Sequence, residues 1–136
     1  MIGLDTNIVV RLITNDDRGQ VARARAAIVK EGGFILDTIV METVWVLRKT
    51  YGFSPRQIDH AFGILLETDV VELENPNRLR RALTGVKAGL SFEDAFHLAG
   101  CKVAQFATFD DALVKRAPRA FTTPTVFEPA NVSGAG

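Results

Sequence analysis

Short apolar runs recur along the chain with amphipathic stretches between them, and their order predicts strands alternating with helices. Ile2-Gly3-Leu4, Phe34-Ile35-Leu36, Val70-Val71-Glu72-Leu73 and Gln105-Phe106-Ala107-Thr108 have the length and apolar weight of short buried strands, and Thr125-Val126-Phe127 reads as an edge strand. A short helix over Ile8 to Ile13 follows the first run. Asn15-Asp16-Asp17 then caps a second helix, whose body from Val21 to Lys30 stops at Gly32-Gly33. Asp37-Thr38 can cap a third, running from Thr38 to Thr50. Ser54-Pro55-Arg56-Gln57 combines a cap, a proline at the first helical position and a capping-box glutamine. Ile58, Ala61, Phe62, Leu65 and Leu66 then form one apolar face, suited to the core or to a subunit interface. Asn75-Pro76 opens a helix rich in arginine that ends at Gly89, Ser91 caps another, and a short helix passes through Lys115-Arg116.

This alternation, without internal repeats, predicts the α/β class: an α/β/α sandwich with a mainly parallel central sheet of four to five strands and helices on both faces. Composition adds that 47% of the 136 residues are hydrophobic and 24% charged, the profile of one soluble globular domain, here residues 1–128. A chain of this length buries roughly two thirds of its unfolded surface and needs no disulfide to fold. The single cysteine, Cys101, has no partner for an internal bridge, which fits a reducing compartment. The small, polar stretch 129–136 is expected to be disordered. No run approaches the ~20 apolar residues of a membrane span, and Asp5 argues against a secretory signal, so no membrane partner and a cytoplasmic location are expected. Sixteen basic and sixteen acidic side chains cancel, so any nucleic-acid binding must come from local patches.

The candidate chemistry lies in the acids. Asp5 ends the first apolar run, where it reads equally as a helix cap or as a ligand-binding carboxylate at the carboxyl end of a parallel strand. Glu42 has Ile39, Trp45 and Val46 among its helical neighbours, a setting in which a carboxylate is either costly or useful. Asp94 sits in a first helical turn and Asp110 follows the fourth strand. A doubly wound sheet can bring all four to one edge, where they would repel one another unless a cation sat among them. Oxygen-only ligation points to Mg²⁺ or Mn²⁺, and one cysteine with His60 and His97 offers no zinc set.

The residues Asp5-Thr6-Asn7 with Arg11, Glu42-Thr43-Val44-Trp45-Val46-Leu47, Phe92-Glu93-Asp94-Ala95 with His97-Leu98-Ala99, and Thr108-Phe109-Asp110 resemble, in order and spacing, the PIN-domain nucleases and among them the VapC-type toxins of toxin-antitoxin pairs. The resemblance spans nearly the whole chain. It implies a PIN-like fold and an endoribonuclease in which Asp5, Glu42, Asp94 and Asp110 form the catalytic metal site, with Asn7, Thr6 and Thr108 supporting it by hydrogen bonds. Glu93 and Asp111 are the weaker member of each adjacent pair. Ser91 stands where VapC-like sequences often carry Asp, a change that keeps capping and touches at most a secondary contact.

The resemblance also implies products with a 5′-phosphate and a 3′-hydroxyl, a homodimer, and a VapB-like antitoxin that lays a helix in an apolar groove and sends a basic side chain into the acids. The implied reaction is hydrolysis of RNA phosphodiester bonds by a metal-activated water. Arg11 is the first basic residue to consider for RNA binding, equally able to touch phosphate or to balance the acids. His97 is expected to be packed or hydrogen-bonded, and Trp45, Tyr51 and Phe53 to serve core or interface. The alternative is a catalytically silent PIN-like module that binds RNA or protein. A phosphotransfer domain with Asp5 as nucleophile would want a second Asp where Asn7 stands. No Gly-rich loop joins a strand to a helix, which disfavours nucleotide binding.

Overall fold

Strands β1 (Ile2–Gly3), β2 (Gly33–Ile35) and β3 (Val71–Leu73) form a parallel ladder in that order in the computed structural model, which describes residues 1–130. Parallel neighbours need long crossovers. Helices α1 (Thr6–Thr14) and α2 (Arg18–Glu31) make the first, and α3 (Asp37–Lys49) and α4 (Pro55–Glu67) the second. The register pairs Ile2 with Gly33 and Ile35 with Leu73, so all three strands point their carboxyl ends the same way. Asp5 and Asp37 therefore begin helices at one edge of this ladder.

A second ladder joins β4 (Gln105–Ala107) to β5 (Thr125–Phe127), again parallel. Its crossover is α7 (Asp111–Arg116) followed by a 3-10 turn at Ala117–Arg119. Before it come α5 (Pro76–Lys87) and α6 (Phe92–Ala99). The chain divides into two compact units, Met1–Pro76 and a second that starts at Asn77, so the five expected strands are hydrogen-bonded as three and two.

Each unit has its own apolar centre. In the first, α1 packs on α2 and α3, and Val9, Ile35, Val40, Val44, Leu47 and Phe62 are buried. Leu79, Ala82, Phe92, Ala95, Phe96, Leu98 and Phe121 are buried in the second. The apolar face read on α4 resolves into buried Ile58, Phe62 and Leu65, with Ala61 and Leu66 half-buried.

Helix ends follow local chemistry closely. Ser54 and Gln57 form the capping box, and Ser91 accepts from the Asp94 amide. Asp17, the last of three candidates, caps α2 through the Gln20 amide, and Gly32 ends that helix at φ +76°, a region that favours glycine. One expectation is corrected. Leu36 occupies the N-cap of α3 without a side-chain bond, because β2 ends at Ile35 and the helix starts one residue early. Asp37 instead lies in the first turn, where its carboxylate accepts from the Asn75 side chain at 2.8 Å and favours the helix dipole. No helix among the described residues is long and apolar enough to cross a membrane. Of the stretch expected to be disordered, residues 131–136 lie outside the described residues.

Candidate functional site

Asp5 leaves β1 in an extended conformation and its Oδ1 accepts from the Thr6 amide at 2.8 Å. The two readings of this residue are therefore compatible: one carboxylate oxygen caps α1, and the other has no hydrogen bond or ion pair among the described residues. Packing of α1 on α3 brings Glu42 to the same cleft, of about 300 Å³, which Thr6, Asn7, Arg11 and Tyr51 also line. Glu42 is exposed because the buried stripe of α3 runs through Val40, Thr43, Val44 and Leu47. Its carboxylate likewise has no partner among the described residues. At the same cleft the Thr6 hydroxyl is buried and makes no hydrogen bond among the described residues.

Two open carboxylates and an orphaned hydroxyl are hard oxygen donors. Mg²⁺ keeps much of its water and is commonly held by one or two carboxylates together with substrate phosphates, so this donor set fits such an ion. Asn7 borders the cleft with no side-chain hydrogen bond among the described residues.

Arg11 lies at the cleft rim in a network. Its Nη1 donates to both Asp16 oxygens at 3.2 Å and to the Tyr51 hydroxyl at 3.2 Å, and its Nε donates to Gln20. Tyr51 in turn donates to Asp16 at 2.6 Å, as does the Thr14 hydroxyl at 3.0 Å. The acid that Arg11 balances is thus Asp16. The Tyr51 hydrogen bond is the largest influence holding the Asp16 carboxyl below its ordinary pKa, and Asp16 holds the Arg11 guanidinium above its own. Sequence reasoning missed this part. It assigned Tyr51 to core or interface, whereas the phenol is half-exposed and tied to a residue 35 positions away.

A depressed folded pKa means that Asp16 contributes stability above its unfolded pKa and loses it as pH falls through the folded one. Tyr51→Phe is expected to move the Asp16 titration upward, and carboxyl NMR shifts read this directly. An unmoved titration would remove Tyr51 as the main cause.

The second unit holds the other two acids. Asp94 is half-buried in the first turn of α6, its amide bound by Ser91 and its carboxylate without a partner among the described residues. Asp110 caps α7, with Oδ1 accepting from the Ala112 and Leu113 amides at 3.0 and 3.2 Å and the second oxygen unused among the described residues. The Thr108 hydroxyl oxygen accepts from the Asp110 amide at 3.0 Å, which fixes the approach to the cap. Asp111 pairs with Glu128, and this hydrogen bond and the accompanying repulsion raise the Glu128 pKa. That pairing crosses the unit's crossover and had no sequence signal.

His97, expected to be packed or hydrogen-bonded, is exposed, because α6 buries Phe92, Ala95, Phe96, Leu98 and Ala99 and turns position 97 outward. Trp45 is 53% exposed and so is not part of a core. Among the described residues no three His, Cys, Asp or Glu side chains gather into a metal-holding group. The structure brings Asp5 and Glu42 to one cleft, while Asp94 and Asp110 belong to the second unit.

Parallel ladders with acidic side chains at strand ends and helix starts define an α/β protein. A family model described as PIN domain matches residues 2–119, and the chain belongs to the PIN-domain family. The family fold is an α/β/α sandwich, and its members are in general metal-dependent nucleases acting with divalent ions such as Mg²⁺. No curated protein and no solved structure matches the chain.

Proposed function

We propose that this PIN domain is a Mg²⁺- or Mn²⁺-dependent endoribonuclease of the VapC type, the toxin of a toxin-antitoxin pair. The observation that carries the reading is the cleft where Asp5 and Glu42 present carboxylate oxygens that no described side chain neutralises. The reading also gives metal-binding roles to Asp94 and Asp110 and supporting roles to Thr6, Asn7 and Thr108, as the resemblance to the PIN-domain nucleases implies. A bound divalent ion would supply a Lewis acid that lowers the pKa of a water and neutralises charge on the phosphoryl group. The chain's own contribution is orientation: helix amides hold Asp5 and Asp110 by one oxygen each, which fixes where the other points. Arg11, held by Asp16, Gln20 and Tyr51, is proposed as a phosphate contact at the rim.

The proposed partners are RNA, a second copy of the chain and a VapB-like antitoxin, and the proposed location is the cytoplasm. An apolar groove of about 480 Å³ between α1 and α4, lined by Leu12, Ile13, Phe53, Ala61, Ile64 and Leu65, supports docking of an antitoxin helix. A basic side chain from that helix would oppose the acids directly. Exposed Trp45 supports a contribution of α3 to the dimer.

The reading is tested by incubating the purified chain, freed of any partner, with single-stranded RNA and Mg²⁺ or Mn²⁺. Products with a 5′-phosphate and a 3′-hydroxyl are expected. A 2′,3′-cyclic phosphate would make the 2′-hydroxyl the nucleophile and contradict the proposed hydrolysis. Expression in a host is expected to arrest growth, and arrest that persists in an Asp5→Asn variant would contradict a toxin acting by cleavage.

A further inference from the structure

Zero net charge conceals a strong internal division. The first unit carries eight basic and eleven acidic side chains, and the second carries eight and five. Within the second unit α5 holds Arg78, Arg80, Arg81 and Lys87 and no acid at all. These cations do different work. Arg78 is committed to packing: its Nε donates to the Phe96 carbonyl at 2.8 Å and its guanidinium lies 4.1 Å from the centre of the Phe96 ring.

Arg80 and Arg81, one helical turn before Thr84, border a depression of about 170 Å³ completed by Ala120 and Phe121. No acid among the described residues lines it. Arg81 is braced there, with Nη1 donating to the Ala99 carbonyl at 3.2 Å and its guanidinium carbon 5.4 Å from the Phe121 ring centre. Its other N–H groups have no partner among the described residues. Arg80 is exposed and its guanidinium reaches only Asn77 among them, at 3.5 Å. Two cations, one preorganised and one free to adapt, thus flank a hollow with no compensating anion. Sites that enclose a drug-sized molecule occupy about 300 Å³ or more, so this hollow suits a single phosphodiester group and not a whole nucleotide. A guanidinium whose position is already fixed loses less entropy on gripping phosphate oxygens and can do so with two parallel bonds.

We propose that Arg80 and Arg81, around the hollow floored by Phe121, form a subsite for the phosphate backbone of single-stranded RNA. The choice of RNA rests on the nuclease reading above. The subsite adds to that reading an explanation of how a chain of zero net charge would hold a polyanion: the net-positive second unit supplies a grip beyond the single Arg11 contact proposed for the acidic first unit.

The test is fluorescence anisotropy of the full chain with a labelled single-stranded RNA of about 12 nucleotides, in EDTA so that nothing is cut. Deleting one cation that neutralises a phosphate lowers the slope of log affinity against log salt by about 0.7, which is about fivefold in affinity near 0.1 M salt. Arg80→Ala is expected to show one such step and Arg80→Ala/Arg81→Ala two. Arg80 makes no buried contact, so its variant carries the test even if Arg81→Ala fails to fold. Arg18→Ala/Arg25→Ala in α2 removes the same charge elsewhere and is expected to change neither quantity. An unchanged slope in Arg80→Ala, an equal loss in the α2 variant, or no RNA binding by the wild type overturns the subsite. Binding with these losses but no cutting in Mg²⁺ would sink the nuclease reading and leave the subsite standing.

Discussion

Asp5→Asn is expected to abolish the proposed RNA cleavage, by at least about 100-fold, and to leave the fold intact. Partners one step removed from a metal ligand cost 10- to 100-fold when changed, and a ligand should cost more. The substitution separates the two jobs of this residue cleanly. Asn ranks beside Asp as an N-cap, and its amide oxygen can still accept from the Thr6 amide, so α1 keeps its start. What disappears is the negative charge of a carboxylate that lines the cleft with Glu42 and has one oxygen unpartnered among the described residues. Asp110→Asn is expected to act by the same logic on α7, whose Ala112 and Leu113 amides need only an oxygen acceptor. Cleavage rates beside thermal melting give the answer: lost activity with an unchanged melt is expected. Retained activity would reduce Asp5 to a cap, whereas lost activity with a lowered melt would indicate a folding defect.

The second large effect is on stability. Phe62 is fully buried in α4, so Phe62→Ala removes its packing and leaves a cavity that the surroundings fill only in part. Such truncations cost about 3–5 kcal/mol. For a chain of this size the melting temperature should fall by roughly 10–20 °C. Calorimetry or a circular-dichroism melt reads the shift. A fall of only a degree or two would mean that α4 is not anchored through Phe62, and it would also undermine the apolar groove proposed beside that helix.

Much of the architecture could be read from the residues because helix ends are written in local chemistry. Ser54 with Gln57, Ser91 before Asp94 and Asp17 before Gln20 each act within three residues, the range over which sequence is directly informative. The strand at 125–127 was likewise legible from its β-branched and aromatic residues. Leu36 went the other way, because the end of β2 is set by pairing with β3 and not by the residues of the turn.

Long-range polar partners were illegible for a related reason. Tyr51 meets Asp16 and Glu128 meets Asp111 only after crossovers have folded, and no spacing rule links them. The candidate acids could be singled out by position, yet the hold of helix amides on one oxygen of Asp5 and of Asp110 became visible only in three dimensions. The charge division was hidden as well, since sixteen against sixteen cancels until the chain is divided into its two units.

The central claim is that the open acids of this PIN domain hold a divalent ion with which the chain cuts RNA. Its most direct measurement is cleavage of a single-stranded RNA by the purified, partner-free chain with Mg²⁺, with EDTA, and with EDTA followed by excess Mn²⁺. The account predicts cutting in the first, none in the second and recovery in the third. Undiminished cutting in EDTA would contradict it.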